Sequence, residues 1–283
     1  MMKKNDFTLN TVTYSSETFS LPQIAESGQC FRMETAGGGT YEILAHDRYL
    51  RARQEGNTCV FFCSPQEFES FWRPYFDLDT DYAQWIRRID PADAYLTRAA
   101  EAGKGIRILR QNPFEMIITF LISQQNNIRR IKRCIRSLCL RYGKPMRAPD
   151  GTGYYAFPTP EALAAADTES LLECNLGYRS KYVLAAAQSV RDGMLAPEML
   201  VRAGFREARA ELLKLYGVGP KVADCICLFG LHQLEAFPVD THIRQALEKH
   251  YPEGFPFEKY SGFQGVLQQF IFYRELFPAG EQK

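Results

Sequence analysis

One short stretch of this 283-residue chain sets an amine beside a tight glycine turn. Leu212, Leu213 and Leu215 close one helical pattern, Tyr216-Gly217-Val218-Gly219-Pro220 makes the turn, and Lys221-Val222-Ala223-Asp224-Cys225 opens the next helix. Two glycines admit backbone conformations and close approaches that a Cβ would block. They also leave amide N–H groups at a helix N-terminus, where the dipole favours an anion such as a phosphate. Nineteen residues after Lys221 comes Asp240, in Phe237-Pro238-Val239-Asp240-Thr241-His242, suited to capping a further helix. A neutral lysine amine attacks electrophilic carbon, and neutrality calls for desolvation or nearby positive potential. A carboxylate close by would stabilise positive charge developing on the attacked group. Taken singly, each feature has an ordinary explanation: a helix–helix turn, a solvated lysine, a cap.

Other chemistries find less support. The eight cysteines are scattered from Cys30 to Cys227 without paired Cys-x-x-Cys units, and the four histidines are dispersed, so no zinc signature forms. No cysteine follows Cys227, which excludes a C-terminal four-cysteine iron–sulfur cluster. Thiols in apolar surroundings, such as Cys225 and Cys227, read as core residues of a reducing compartment. Net charge is only +1, but residues 116–149 carry eight basic groups and no acidic one: Arg129, Arg130, Lys132, Arg133, Arg136, Arg141, Lys144 and Arg147. Such a stretch is either a polyanion footprint or a solvated helix face.

The elements that must position these groups are of two kinds. Over the first 60 residues the pattern is that of strands: Thr8 to Tyr14 alternates, and Tyr49–Arg53 and Cys59–Cys63 flank a Glu55-Gly56-Asn57 turn. Ser64-Pro65-Gln66-Glu67 and Asn112-Pro113-Phe114-Glu115 are capping boxes. The second opens an apolar helix through Ile122, followed by a polar break at Ser123–Asn127. The basic segment Ile128–Tyr142 then carries Ile128, Ile131, Ile135, Leu138 and Cys139 at helical spacing, with its arginines on the other faces. The expected fold is α+β: a small antiparallel-sheet domain over residues 1–90, divided at Asp90-Pro91 from a mainly helical domain over 91–283 that contains a helix-hairpin-helix motif. The longest largely apolar run, Met116 to Ile122, is far short of the roughly 20 residues of a membrane span. Met1 to Thr8 is charged and lacks an apolar core, so no secretory leader is expected. The expected location is the cytoplasm, at the nucleoid in a prokaryote or in the nucleus of a eukaryote.

The hairpin, lysine and aspartate together resemble the helix-hairpin-helix, Gly/Pro-Asp superfamily of DNA base-excision glycosylases. Gly217 to Leu228 resembles most closely its 8-oxoguanine DNA glycosylase/AP lyase branch. Ser27-Gly28-Gln29-Cys30-Phe31-Arg32, Gln125-Asn126-Asn127-Ile128-Arg129-Arg130, Asn175-Leu176-Gly177-Tyr178-Arg179 and Gly265 to Phe272 agree in order, so the likeness runs from about residue 20 to 275. It implies that Lys221 attacks C1′ of a flipped nucleotide, displaces the damaged base as a Schiff base forms, and that β-elimination then nicks the strand. It implies that Asp240 stabilises the oxocarbenium-like charge. Gly28 would offer its carbonyl to the N7–H that 8-oxoguanine has and guanine lacks, Gln268 would read the Watson–Crick edge, and Cys225 and Phe272 would sandwich the base. Arg130, Tyr178 and Arg179 would read the orphaned cytosine and wedge the gap. Gly217, Val218, Gly219 and His242 would contact phosphates. Gln125 stands where the family usually has Asn, and Cys30 and Met33 also depart from the pattern, which leaves opposite-base discrimination and the pocket walls open.

No cofactor is implied for the chemistry, although the carbonyls of Leu213, Leu215 and Val218 match positions where the family's hairpin can hold a monovalent or calcium ion. The implied partner is double-stranded DNA containing a damaged base, with no membrane, bound by a monomer. A glycosylase for another damaged purine such as an alkylated base, and a noncatalytic helix-hairpin-helix DNA-binding protein, are the alternatives. Gly28 and Gln268 argue against the first, because alkyl-base pockets are usually aromatic. The coincidence of hairpin, lysine and aspartate argues against the second.

Overall fold

The computed structural model describes residues 10–278. Thr8 and Leu9, at the start of the expected first strand, lie outside them, as does the charged start Met1–Lys4. Five strands, β1 (Val12–Ser15), β2 (Met33–Gly37), β3 (Thr40–Ala45), β4 (Arg48–Glu55) and β5 (Thr58–Phe61), form one antiparallel sheet in the order β1-β5-β4-β3-β2. The period of two sends Ile43 and Ala45, Leu50 and Ala52, and Cys59 and Phe61 inward. Phe61 meets Phe68 and Phe76, from the helical stretch at 65–76, at ring separations of 5.0 and 5.6 Å. The turn between β4 and β5 is Gly56-Asn57, with Gly56 at φ +58°.

The all-strand expectation for this region needs one correction. Leu21–Glu26 is a helix, because the Ser20 hydroxyl accepts the Gln23 amide and a proline stands in the first turn.

From residue 82 onward helices dominate, and local capping accounts for several of their starts. Asn112 accepts the Glu115 amide at 2.9 Å to begin Pro113–Ser123, and Asn127 accepts the Arg130 amide at 3.0 Å to begin the basic helix Ile128–Tyr142. Ile131, Ile135, Leu138 and Cys139 of that helix are buried, whereas Ile128, expected in the same stripe, is exposed. A two-stranded hairpin, β6 (Pro145–Arg147) with β7 (Gly153–Tyr155), interrupts the helices without a strong sequence signal.

The two parts are joined by buried polar contacts. The Gln29 side chain accepts the Leu109 amide and donates to the Arg107 carbonyl, each at 2.9 Å, and its own carbonyl accepts from Gln111 at the same distance. Arg32 pairs with Glu115 at 3.1 Å and donates to the Tyr155 carbonyl at 2.7 Å. Asp77 is buried and accepts from Arg110 Nε and Nη2, at 3.0 and 2.8 Å, and from the Tyr82 hydroxyl at 3.0 Å.

His232 lies against that cluster. Its Nε2 is 3.3 Å from Asp77 Oδ2, close enough for an ion pair, but it is not aligned as a hydrogen bond and stays unpartnered. Burial, reinforced by Arg110, outweighs the pull of Asp77 and lowers the imidazole from 6.5 to about 4. The unfolded chain therefore takes up this proton near pH 6.5 and the folded chain only near 4. The stability linked to it is whole above 6.5 and falls away as pH drops towards 4, by roughly 3 kcal/mol in all. Urea melts across that window should show a flatter decline for His232→Gln than for the native chain; parallel declines would refute the assignment.

Candidate active site

Lys221 occupies the first turn of the helix Pro220–Gly230, whose N-cap is Gly219. Asp240 caps Thr241–His250, its Oδ1 accepting the Ile243 amide at 2.9 Å. Segments distant in sequence converge on one small cavity of about 40 Å³, lined by Gly28, Lys221, Cys225, Asp240, Gln268 and Phe272 among others. All six residues expected to perform chemistry or hold a base therefore share one wall. A larger cavity of about 290 Å³ lies between the sheet, the basic helix and the β6–β7 hairpin, and none of those six lines it. The convergence of reactive groups, not volume, marks the site.

Each wall has a local cause. Gly28 sits at φ +74°, and a Cβ there would come within 3.1 Å of the Phe272 ring, so glycine both permits the turn and makes room for the aromatic. Its neighbours are fixed: the Ser27 hydroxyl donates to the Ile24 carbonyl and accepts from Gln29, each at 2.8 Å. Gln268 is buried and donates to the Pro238 carbonyl at 3.0 Å. Cys225 is buried one helical turn beyond Lys221, and burial pushes its thiol up while the neighbouring ammonium pulls it only part of the way back. It stays a thiol and serves as a wall.

Phe120, Phe229 and Gln269 also line the cavity and were not singled out from sequence. The rings of Phe120 and Phe229 stack at 5.4 Å, and Lys221 Nζ lies 5.8 Å from the Phe120 centroid, where the π-face attracts a cation. Phe120 sits in an apolar helix where any phenylalanine reads as core, so only the three-dimensional path reveals it. Cys30 and Met33, expected to alter the pocket walls, are instead buried in the core of the sheet domain and line no part of this cavity.

The hairpin is braced on one side and open on the other. A Cβ on Gly217, at φ +87°, would meet the Tyr182 ring at 2.4 Å, so this position demands glycine twice over. Val218 is buried and its amide donates to the Leu215 carbonyl at 3.1 Å, so neither group faces outward. At Gly219 nothing lies within 4 Å of a would-be Cβ, which leaves the helix N-terminus open to a close approach. Arg209 and Asp224 tie the two helices of the motif at 2.5 Å.

Gln125, at φ +45°, Arg130 and Tyr178 are exposed on the same side as the hairpin loop, to which Gln124 is bonded through the Gly217 carbonyl at 3.0 Å. Arg179 differs from its expected role. It is buried, and its guanidinium donates to the carbonyls of Gln124 at 2.8 Å, Gln125 at 2.9 Å and Leu176 at 3.2 Å. It therefore holds the Gln125 loop from beneath while its plane lies 4.5 Å from the Tyr178 ring. His242 is exposed at the rim, 6.1 Å from Phe272. Along the basic helix, Arg129, Arg130, Arg133 and Arg136 are exposed, and among the described residues none of the four forms an ion pair.

Residues 11–117 match the N-terminal domain of 8-oxoguanine DNA glycosylase, and residues 118–254 match the HhH-GPD superfamily of base excision DNA repair proteins. The N-glycosylase/DNA lyase of Saccharomyces cerevisiae is 32% identical over 261 residues, covering 82% of this chain and 68% of the yeast protein. The structure superimposes on Clostridium acetobutylicum 8-oxoguanine glycosylase/lyase, solved with double-stranded DNA containing cytosine opposite 8-oxoguanine, with TM-score 0.85 and 33% identity over 93% of this chain and 96% of that one. It superimposes likewise on MBOgg1 in complex with a low-affinity DNA ligand, with TM-score 0.87 and 35% identity over 94% and 95% of the two chains. The chain belongs to the 8-oxoguanine DNA glycosylase/lyase family of HhH-GPD base-excision repair enzymes.

Gly28 lines the cavity against Phe272, so a substitution there tests whether base release and strand chemistry can be separated. Gly28→Ala combines a backbone strain of about 1 kcal/mol with a methyl group against Phe272. Release of 8-oxoguanine should fall about tenfold or more, while borohydride trapping at a preformed abasic site persists, since that substrate places no base in the pocket. Equal losses in both assays would count against this division.

Proposed function

We propose that the chain flips an 8-oxoguanine lying opposite cytosine out of duplex DNA, removes it through a lysine Schiff base and nicks the strand. The observation that carries this reading is the convergence of Lys221, Asp240, Gly28, Cys225, Gln268 and Phe272 on one cavity. The Lys221 amine donates its lone pair to C1′. The C1′–N9 bond breaks with its electrons leaving on the base, which takes a proton. Asp240 faces the sugar and stabilises the positive charge that develops there. The nitrogen, having given one proton to the departing base, forms C1′=N as the C1′–O4′ bond opens and O4′ takes a proton, giving the protonated Schiff base. Removal of a C2′ proton then sends the C–H pair into the iminium and expels the 3′ phosphate.

Gly28 accepts from N7–H through its carbonyl. Guanine has a lone pair at N7 instead, so it would face a buried acceptor with no donor, a mismatch that costs more than a missing contact. Gln268 reads the Watson–Crick edge, and Cys225 and Phe272 bracket the ring. Gln125, Arg130 and Tyr178 occupy the gap and face the orphaned cytosine, with Arg179 positioning their loop. Gly217 and Gly219 of the hairpin and His242 take phosphates, and the unpaired arginines of the basic helix supply affinity that falls steeply with salt.

The chain acts as a monomer divided at Asp90-Pro91, in the cytoplasm or nucleus. Its chemistry runs on protein groups alone and involves no iron–sulfur cluster. The carbonyls of Leu213, Leu215 and Val218 could hold a cation that stiffens the hairpin; the Leu215 oxygen already accepts one amide and has a second lone pair to offer.

The stacked Phe120 and Phe229 give the pocket an aromatic wall of the kind that also suits alkylated purines. The test therefore uses duplexes carrying 8-oxoguanine opposite each of the four bases and one carrying 3-methyladenine, incubated with protein and borohydride. The expected result is a covalent band strongest for 8-oxoguanine opposite cytosine and absent for Lys221→Gln, with excision by Asp240→Asn reduced by about 100-fold or more. Base release without a trapped band would remove Lys221 from the mechanism. Preferential release of 3-methyladenine would favour the alkyl-base reading.

A further inference from the structure

Gln269 presents a buried group that the mechanism above does not use. It is 2% exposed, lines the base cavity, and its Oε1 has no hydrogen-bond partner. A buried carbonyl without a donor is costly and rare in folded proteins, and its place on a residue that lines the base cavity points to a donor arriving with the ligand. Its other end is engaged: Gln269 Nε2 donates to Gln268 Oε1 at 3.1 Å, and Gln268 Nε2 in turn donates to the Pro238 carbonyl at 3.0 Å. The two amides thus form one chain anchored on the backbone two residues before Asp240.

That chain fixes which way Gln268 points and leaves a defined set of free valences. Gln268 retains one N–H and one lone pair, and Gln269 retains one N–H and both lone pairs of Oε1. The Gln268 N–H, the Gln268 lone pair and Gln269 Oε1 among them can present donor, acceptor, acceptor. The Watson–Crick edge of guanine, oxidised or not, runs acceptor (O6), donor (N1–H), donor (the exocyclic amine). We propose that Gln268 and Gln269 together reproduce the edge of cytosine, with Gln269 Oε1 as the acceptor for the exocyclic amine. The inference rests on the base-excision reading and extends it. Gly28 selects for the N7–H of an 8-oxopurine, but it cannot tell 8-oxoguanine from other 8-oxopurines. The amide pair supplies that second selection.

The test compares 8-oxoguanine with 8-oxohypoxanthine, which lacks only the exocyclic amine, each opposite cytosine in the same duplex. The native chain should release 8-oxoguanine faster by roughly tenfold to a hundredfold. Gln269→Met, similar in volume but without the acceptor, should bring that ratio towards one by slowing 8-oxoguanine release alone. Trapping at a preformed abasic site by the same variant shows that it is folded and competent. Equal rates for the two bases with the native chain overturn the proposal, and this comparison needs no variant. A preserved ratio in Gln269→Met, or equal slowing of both bases, overturns it as well, the latter because Gln269 would then act only by orienting Gln268. If the native chain releases neither base yet is trapped at an abasic site, the 8-oxoguanine reading itself fails and the inference falls with it.

Discussion

Gln29 is fully buried, and its side-chain amide replaces hydrogen bonds that no regular element supplies to the Arg107–Leu109 backbone. The pocket depends on this contact, because Gly28 comes from the sheet domain whereas Lys221, Asp240 and Gln268 come from helices of the other. Two parts of a pocket must hold register to a fraction of an ångström for one hydrogen bond to discriminate between bases. Gln29 provides that register by fixing both ends of a short span: its side chain bonds the 107–109 segment and the Ser27 hydroxyl, while its carbonyl accepts from Gln111. Gly28 lies beside those bonds in its positive-φ turn, at +74°. The Arg32–Glu115 pair adds a second tether a few residues on. Burial raises Glu115 against the pull of Arg32, so the pair is better seen as a fastener of geometry than as a large source of stability.

The opposite side of the site is braced by the same kind of contact. Arg179 is buried beneath the Gln124–Gln125 loop, and Gln124 reaches from that loop to the Gly217 carbonyl of the hairpin. Tyr182 fills the space under Gly217 and meets both Tyr178 and Tyr216 edge-on. The Gln124–Gln125 loop and the hairpin loop are therefore joined by direct contacts. Displacement of either is felt by the other through an aromatic contact and a hydrogen bond.

Local features of the sequence foretold local structure well. Asn112 and Asp240 cap the helices their motifs announce, and Gly56 turns the hairpin its neighbours suggest. Lys221 and Asp240 could be paired because turn, helix start and cap each leave a short-range mark. What sequence did not show depends on distant partners. Leu21–Glu26 was obscured by strand patterns on either side. Arg179 looked like a surface arginine, and only the fold supplies the three carbonyls that bury it. Phe120 and Gln269 carry no local signal: one sits among core residues, the other beside a glutamine already assigned, and neither can be told from its neighbours until the cavity is formed.

Two potential nucleophiles, the Lys221 amine and the Cys225 thiol, stand one helical turn apart at the same cavity, and their surroundings decide between them. A thiol attacks only as thiolate, and burial pushes Cys225 up, away from the charged form, with Asp224 and Asp240 adding to the shift. Lys221 is half-exposed and sits in the first turn of the helix, nearer the opening than Cys225. On the proposed function, the depth that suits Cys225 to walling a base would also make it a poor rival for the sugar. Hairpin and cap set that depth by fixing how far each residue lies from the opening. On the same reading, position along one helix would thus give chemistry to the first turn and recognition to the second.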